Sequence, residues 1–127
     1  MTSRELGNYG EKIAEQYLKK RRYKIIDQNV RLGRHGELDI IAHKDQKLIF
    51  IEIKTRQQET KHYPRNTWVS NEKEERIYKL SSLYRRKNAK KLSRLHIKHI
   101  EFDMIAITIK KREGVGAHYE RAFGSSW

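Results

Sequence analysis

The sequence predicts an α/β domain with a mixed sheet between helices, and three observations carry that prediction. Apolar residues recur at helical spacing in two separate stretches, 4–22 and 71–91. Other runs alternate as strands do, notably Glu37–His43, Lys47–Lys54 and Ile97–Ile109. The order is helix, three strands, helix, strand, which interleaves both kinds of element along one chain. With 127 residues and no repeat, linker or low-complexity tract, residues 1–127 read as a single domain.

Taken in order, the first helix places Leu6, Tyr9, Ile13, Ala14, Tyr17 and Leu18 on one stripe. Lys12 and Glu15 face away from it, and Glu11 falls on its border beside Leu18. Tyr23–Leu32 predicts a first strand, broken by Asp27-Gln28-Asn29, and Gly33–Gly36 a turn. Glu37–His43 and Lys47–Lys54 form a hairpin across Lys44-Asp45-Gln46. Residues 57–70 are polar, hold the single proline, Pro64, and read as a long loop.

Asn71 with Glu74 three residues on makes a cap for the second helix, whose apolar face is Ile77, Leu80 and Tyr84. Its first turns are acidic and its last turns basic, which fits dipole complementarity and equally fits phosphate contact. Strand character returns at 97–109, and a short last strand is expected at 117–121.

The charge balance narrows the function classes. Lys plus Arg number 29 against 16 Asp plus Glu, a net charge of +13, so an acidic partner is expected, nucleic acid before any membrane surface. No apolar run is long enough to span a bilayer, and no signal-type segment follows Met1, so a cytoplasmic location is expected. The lack of cysteine removes disulfides, thiolate metal sites and cysteine nucleophiles. The six histidines show no paired spacing of the kind a zinc site needs.

The chemistry concentrates in the hairpin. Alternation puts Glu37, Asp39 and Ile41 on one face of its first strand and Leu38, Ile40 and Ala42 on the other. On its second strand Leu48, Phe50, Glu52 and Lys54 share a face. With the loop tip at Asp45-Gln46, counting back places Asp39 opposite Glu52 and Glu37 opposite Lys54. Two opposed carboxylates repel unless a proton or a cation lies between them. A hard divalent ion such as Mg²⁺ accepts one or two carboxylates and keeps its waters, and a lysine beside it can polarise water for phosphodiester hydrolysis. The plainer alternative is a Glu37–Lys54 ion pair on a solvated face. Both acids lie in strongly apolar strands, where unpaired carboxylates are costly, and that supports the metal site.

At these residues the chain resembles a known family. Gly36-Glu37-Leu38-Asp39-Ile40-Ile41-Ala42 and Phe50-Ile51-Glu52-Ile53-Lys54-Thr55-Arg56 look like the signature of the YraN family. These are small bacterial proteins related to Holliday junction resolvases within the PD-(D/E)XK nuclease superfamily. The resemblance extends over Gly7–Glu11, Ala14, Tyr17-Leu18, Phe102–Ala106 and Ala122-Phe123; Gln57–Ser70 departs from it, lacking a glycine-containing turn. It implies a restriction-endonuclease-like fold, a mixed β-sheet flanked by helices, and a site using Mg²⁺ or Mn²⁺. Asp39 and Glu52 match its metal-binding acids, Lys54 its motif lysine, and Glu11 the extra acid on the first helix of resolvase-like members.

The expectation is therefore a metal-dependent DNA endonuclease, with Asp39, Glu52, Lys54 and Glu11 catalytic and the three acids binding metal. Arg34, Arg56, Arg85, Arg86, Lys87, Lys90 and Lys91 are expected to contact phosphates, sequence-neutrally. Branched or single-stranded DNA is the expected partner, and resolvase-like cleavage calls for a homodimer. Trp68 and Tyr63 suit stacking on bases or packing of their loop. The alternative function is a non-catalytic nucleic-acid-binding module of the same fold. A basic ribonucleoprotein component fits the charge but leaves the acids unexplained.

Overall fold

The computed structural model describes residues 1–57, 71–111 and 113–122. They form α1 (Ser3–Lys20), β1 (Lys24–Arg31), β2 (Glu37–Lys44), β3 (Lys47–Gln57), α2 (Asn71–Lys87), α3 (Ala89–Leu92), β4 (His99–Lys110) and β5 (Glu113–Tyr119), with a 3₁₀ turn at Ser93–Leu95. The strands make one five-stranded sheet in the order β1-β2-β3-β4-β5. Neighbours are antiparallel except β3 and β4, which run parallel. This mixed sheet with helices against it is the predicted α/β arrangement, and it is consistent with a restriction-endonuclease-like fold.

Local chemistry fixes the ends of α1. Thr2 Oγ1 accepts the Glu5 N–H while Glu5 reaches back to the Thr2 N–H, a reciprocal cap. At the other end Arg22 adopts a left-handed φ of 66°. The N–H groups of Arg22 and Tyr23 then close onto the carbonyls of Lys19 and Leu18, satisfying groups the helix leaves open. The stripe read from the sequence is the one that packs: Ala14 and Leu18 are buried, with Leu6, Tyr9, Ile13 and Tyr17 around them.

Two apolar layers result, one on each side of the sheet. On the α1 side lie Ile40, Ala42, Ile49, Ile51, Ile105, Ile107 and Ile109. On the α2 side lie Ile41, Leu48, Phe50, Phe102 and Met104 beneath Ile77, Leu80 and Tyr84. β4 is buried on both faces, as a strand with a parallel neighbour and helices above and below must be. Asp45 and Gln46 carry φ of 51° and 62°, the conformation of a two-residue hairpin turn that matches strand twist. The Gln46 carbonyl accepts the N–H groups of Lys98 and His99, which seats the start of β4 beside β3.

Several expectations need correction. β1 is one strand through Asp27-Gln28-Asn29, accommodating them by a bulge between Ile25 and Asp27 and a left-handed Asn29. Leu38 packs in the α2-side layer with Ile41, and not with Ile40. The second helix ends at Lys87, where the Asn88 backbone N–H and side-chain amide both close on the Tyr84 carbonyl, and a separate short helix follows. The last strand is Glu113–Tyr119, earlier and longer than 117–121. Gln57 ends β3; the remainder of the predicted loop, with Tyr63 and Trp68, lies outside the described residues.

α1 meets the sheet most closely at Gly10, where an added Cβ would stand 1.9 Å from Thr55 Oγ1. Gly10→Ala should push α1 off β3 and, despite better helix propensity, lower stability by about 1–3 kcal/mol in urea unfolding. A variant as stable as the wild type contradicts this contact.

Candidate active site

The β2–β3 hairpin keeps the register counted from the sequence, Lys44 facing Lys47 and so on to Ile40 facing Ile51. There the ladder stops. Beyond it β2 stays with β1, pairing Leu38 with Val30 and Glu37 with Arg31. β3 instead stays with β4 as far as Gln57 opposite Ile109. The two strands fork, and Asp39 and Glu52 occupy the first position past the last pair.

The fork is held by a side chain. Asp39 Oδ2 accepts the Ile53 backbone N–H at 2.8 Å, taking a donor that a continued ladder would have used. The Asp39 and Glu52 carboxyls meet within hydrogen-bonding reach. Burial first and the Glu52 charge second push the Asp39 carboxyl up to about 8, against the lowering effect of the Ile53 N–H. Glu11 adds a further repulsive charge from α1. Its own carboxyl is raised, mainly by burial, with Asn29 opposing, and its Oε1 is buried without a hydrogen-bond partner among the described residues.

Glu52 has a neighbour that sequence reasoning missed. Lys73, in the first turn of α2, places Nζ 2.6 Å from Glu52 Oε1, with side chains only 24% and 10% exposed. The one available signal was a lysine among Glu72, Glu74 and Glu75 at a helix start, where the dipole disfavours positive charge. Lys54 is half-buried on β3 beside Ala106 of β4. The expected opposition of Glu37 and Lys54 is not made, since the fork separates their strands, and no ion pair joins them among the described residues.

The donor set suits a hydrated divalent ion. Two carboxylates with mutual repulsion and one orphaned carboxylate oxygen nearby are hard oxygen ligands of the kind Mg²⁺ takes together with water. No cluster of three His, Asp or Glu residues is pre-assembled among the described residues. Asp39 and Glu52 therefore form the direct pair, while Glu11 acts on it through its charge.

The basic residues divide into groups. Arg34 is exposed in the Gly33–Gly36 turn, and Gly36, beneath Leu80 and Arg76 of α2, has a φ of 133°, which residues with a Cβ rarely adopt. Gly33 and His35 of that turn line an open depression of about 420 Å³ with Leu32, Leu83, Arg86 and Lys87. Arg85 is half-buried, Lys90 exposed, and Lys91 Nζ lies 3.8 Å from Asp27. Arg56 sits on β3 two residues past Lys54.

Asp103 belongs elsewhere. It is fully buried, with His118 Nε2 at 2.7 Å and the Arg121 N–H at 3.0 Å, and Tyr17 OH lies 2.7 Å from His118 Nδ1. A neutral His118 satisfies both neighbours, accepting from Tyr17 and donating to Asp103. This chain of bonds fastens β5 to β4 and α1.

Residues 10–107, a span that includes Glu11, Asp39, Glu52 and Lys54, match the family described as uncharacterised protein family UPF0102. The chain belongs to the UPF0102 family. A UPF0102 protein of Syntrophomonas wolfei is 33% identical over 121 residues, covering 95% of this chain and 99% of its own. Those of Syntrophotalea carbinolica and Clostridioides difficile are each 36% identical, covering 93% and 88% of this chain and 90% and 92% of theirs. The YraN resemblance is thereby borne out. Among the described residues of this UPF0102 chain, no helix is long and apolar enough to cross a membrane.

The raised Asp39 carboxyl has a sign that can be measured. Such a group adds stability fully below its unfolded pKa, about 4, and that contribution is lost as pH rises through about 8. Asp39→Asn keeps an oxygen for the Ile53 N–H and removes the charge. Its melting temperature relative to wild type should climb between pH 5 and 8.5. A difference that stays flat across that range contradicts the repulsion.

Proposed function

We propose that this UPF0102 chain is a divalent-metal-dependent nuclease acting on DNA. The carrying observation is the Asp39–Glu52 carboxyl pair at the fork of β2 and β3, oriented by the Ile53 N–H. Asp39 and Glu52 would hold Mg²⁺ or Mn²⁺ there. When bound, the ion supplies Lewis-acid stabilisation of charge on the phosphate.

The protein's own groups do the rest. The Ile53 N–H fixes the Asp39 carboxylate rotamer before substrate arrives, so little reorganisation remains at the moment of reaction. Lys54 follows Glu52 by two residues and lies on the same strand face. Its ammonium donates to a phosphate oxygen or to the attacking water. Glu11 adds negative charge beside the pair, which favours positive charge held between the acids. Arg86 and Lys87 in the depression, with Arg34 on the adjoining turn, hold phosphates further along the strand, and Arg85, Lys90 and Lys91 extend that surface. Arg56 serves the same end from β3.

The net charge of +13 supports nucleic acid as the partner without base selectivity, which suits recognition by shape, as in branched DNA. Cutting a four-way junction on two strands needs two such sites and hence a homodimer. One observation favours a second reading, in which the fold binds nucleic acid without cutting. The Lys73 ammonium already neutralises Glu52.

The assay uses supercoiled plasmid and four-way junctions with Mg²⁺ or Mn²⁺, and compares wild type with Asp39→Ala and Lys54→Ala. Each substitution should lower cleavage by at least about a hundredfold. Salt-sensitive binding with no cleavage by wild type, or equal cleavage by all three proteins, contradicts the nuclease reading.

A further inference from the structure

We propose that Lys73 is a resident counter-ion of the acid pair, which holds Glu52 until a divalent cation arrives and must leave it when one binds. The inference deepens the proposed function and rests on reading Asp39 and Glu52 as a cation-holding pair.

Three features of the contact support it. The 2.6 Å approach is that of a charge-assisted hydrogen bond, made by an ammonium and a carboxylate that are both largely withdrawn from solvent. Such a pair is poorly explained by stability, because desolvating two ions cancels much of their attraction. Nor does the helix favour it. The first turn of α2 carries Glu72 and Glu74, which the helix dipole favours, and Lys73 between them has the wrong sign. Its placement makes sense against the sheet below, where the Asp39 and Glu52 carboxyls meet within hydrogen-bonding reach and Glu11 adds its charge from α1.

Charge matching then sets the exchange. The single Lys73 ammonium contacts Glu52 and not Asp39 in the ion pair the structure shows. A divalent ion between the two carboxylates compensates both, and its ligand oxygens would include the one Lys73 holds. The long lysine stem lets Nζ swing away by side-chain rotation without moving α2. Because the state with Glu52 released is only a fraction of the population, the apparent affinity for metal is reduced by that fraction. Lys73 thus sets the ion concentration at which the site fills, and once released leaves a positive group at the edge of the site.

Mn²⁺ binding to the full chain, measured by calorimetry, tests this. Lys73→Met keeps the apolar stem and removes the charge. It should bind Mn²⁺ on the order of tenfold more tightly than wild type if the released state is about a tenth populated. Lys73→Arg, which keeps the charge, should bind no more tightly than wild type, and Asp39→Asn should lose binding. A second measurement needs no substitution. Acetic anhydride labelling of the wild type should modify Lys73 several times faster in Mg²⁺ than in its absence, with Lys47 as an internal reference. Equal or weaker Mn²⁺ binding by Lys73→Met, with Asp39→Asn still defective, overturns the counter-ion role and leaves the metal site standing. Unchanged Lys73 labelling in a protein that binds metal also overturns it. Failure of both wild type and Lys73→Met to bind Mn²⁺ overturns this inference together with the metal-site reading beneath it.

Discussion

The Asp39 carboxylate takes the Ile53 backbone N–H where β2 and β3 part, and much of the molecule is arranged around that bond. A hairpin that simply continued would pair its own backbone and leave no gap. Here β2 is held on its far side by β1, and β3 by its long parallel contact with β4, so the two can separate without leaving either strand alone. The donor exposed by the separation is satisfied by a side chain carrying negative charge. That choice places a second carboxylate, Glu52, directly beside the first, and the site follows from the resulting repulsion.

Repulsion of this kind lowers folding stability and persists only if the surroundings hold the groups in place. Two contacts of α1 do so from one side. Gly10 lets the helix backbone come down onto Thr55, bringing Glu11 to the open end of the fork. Near its C-terminal end Tyr17 is tied through His118 to buried Asp103, so the helix is pinned at its middle and near its C-terminus against the same sheet. From the other side α2 brings Lys73 to Glu52 and, about 20 Å along its axis, brings Arg86 and Lys87 to the Gly33–His35 turn. The same helix thus links the acid pair to the basic surface.

Much of this was legible in the sequence because it depends on local periodicity. A two-residue turn at Asp45-Gln46 fixes the hairpin register, and the register alone brings Asp39 and Glu52 together. The helical stripe and the buried alternation of β4 were legible for the same reason. The fork was not, since alternation assumes that paired strands stay paired. That assumption produced the Glu37–Lys54 opposition that the structure lacks. The Lys73–Glu52 and Tyr17–His118–Asp103 contacts join residues far apart in the chain, which no period encodes. The second helix ends before Asn88, whose backbone N–H and side-chain amide both close on the Tyr84 carbonyl, local bonding that apolar spacing does not reveal.

Everything functional rests on the claim that the Asp39–Glu52 pair is built to take a divalent cation. The most direct test is a crystal of the full chain soaked in Mn²⁺, with the metal located by its anomalous scattering. A peak is expected between the two carboxylates, about 2.0–2.3 Å from an oxygen of each. Absence of a peak there at saturating Mn²⁺, or the metal bound only elsewhere on the surface, would contradict it.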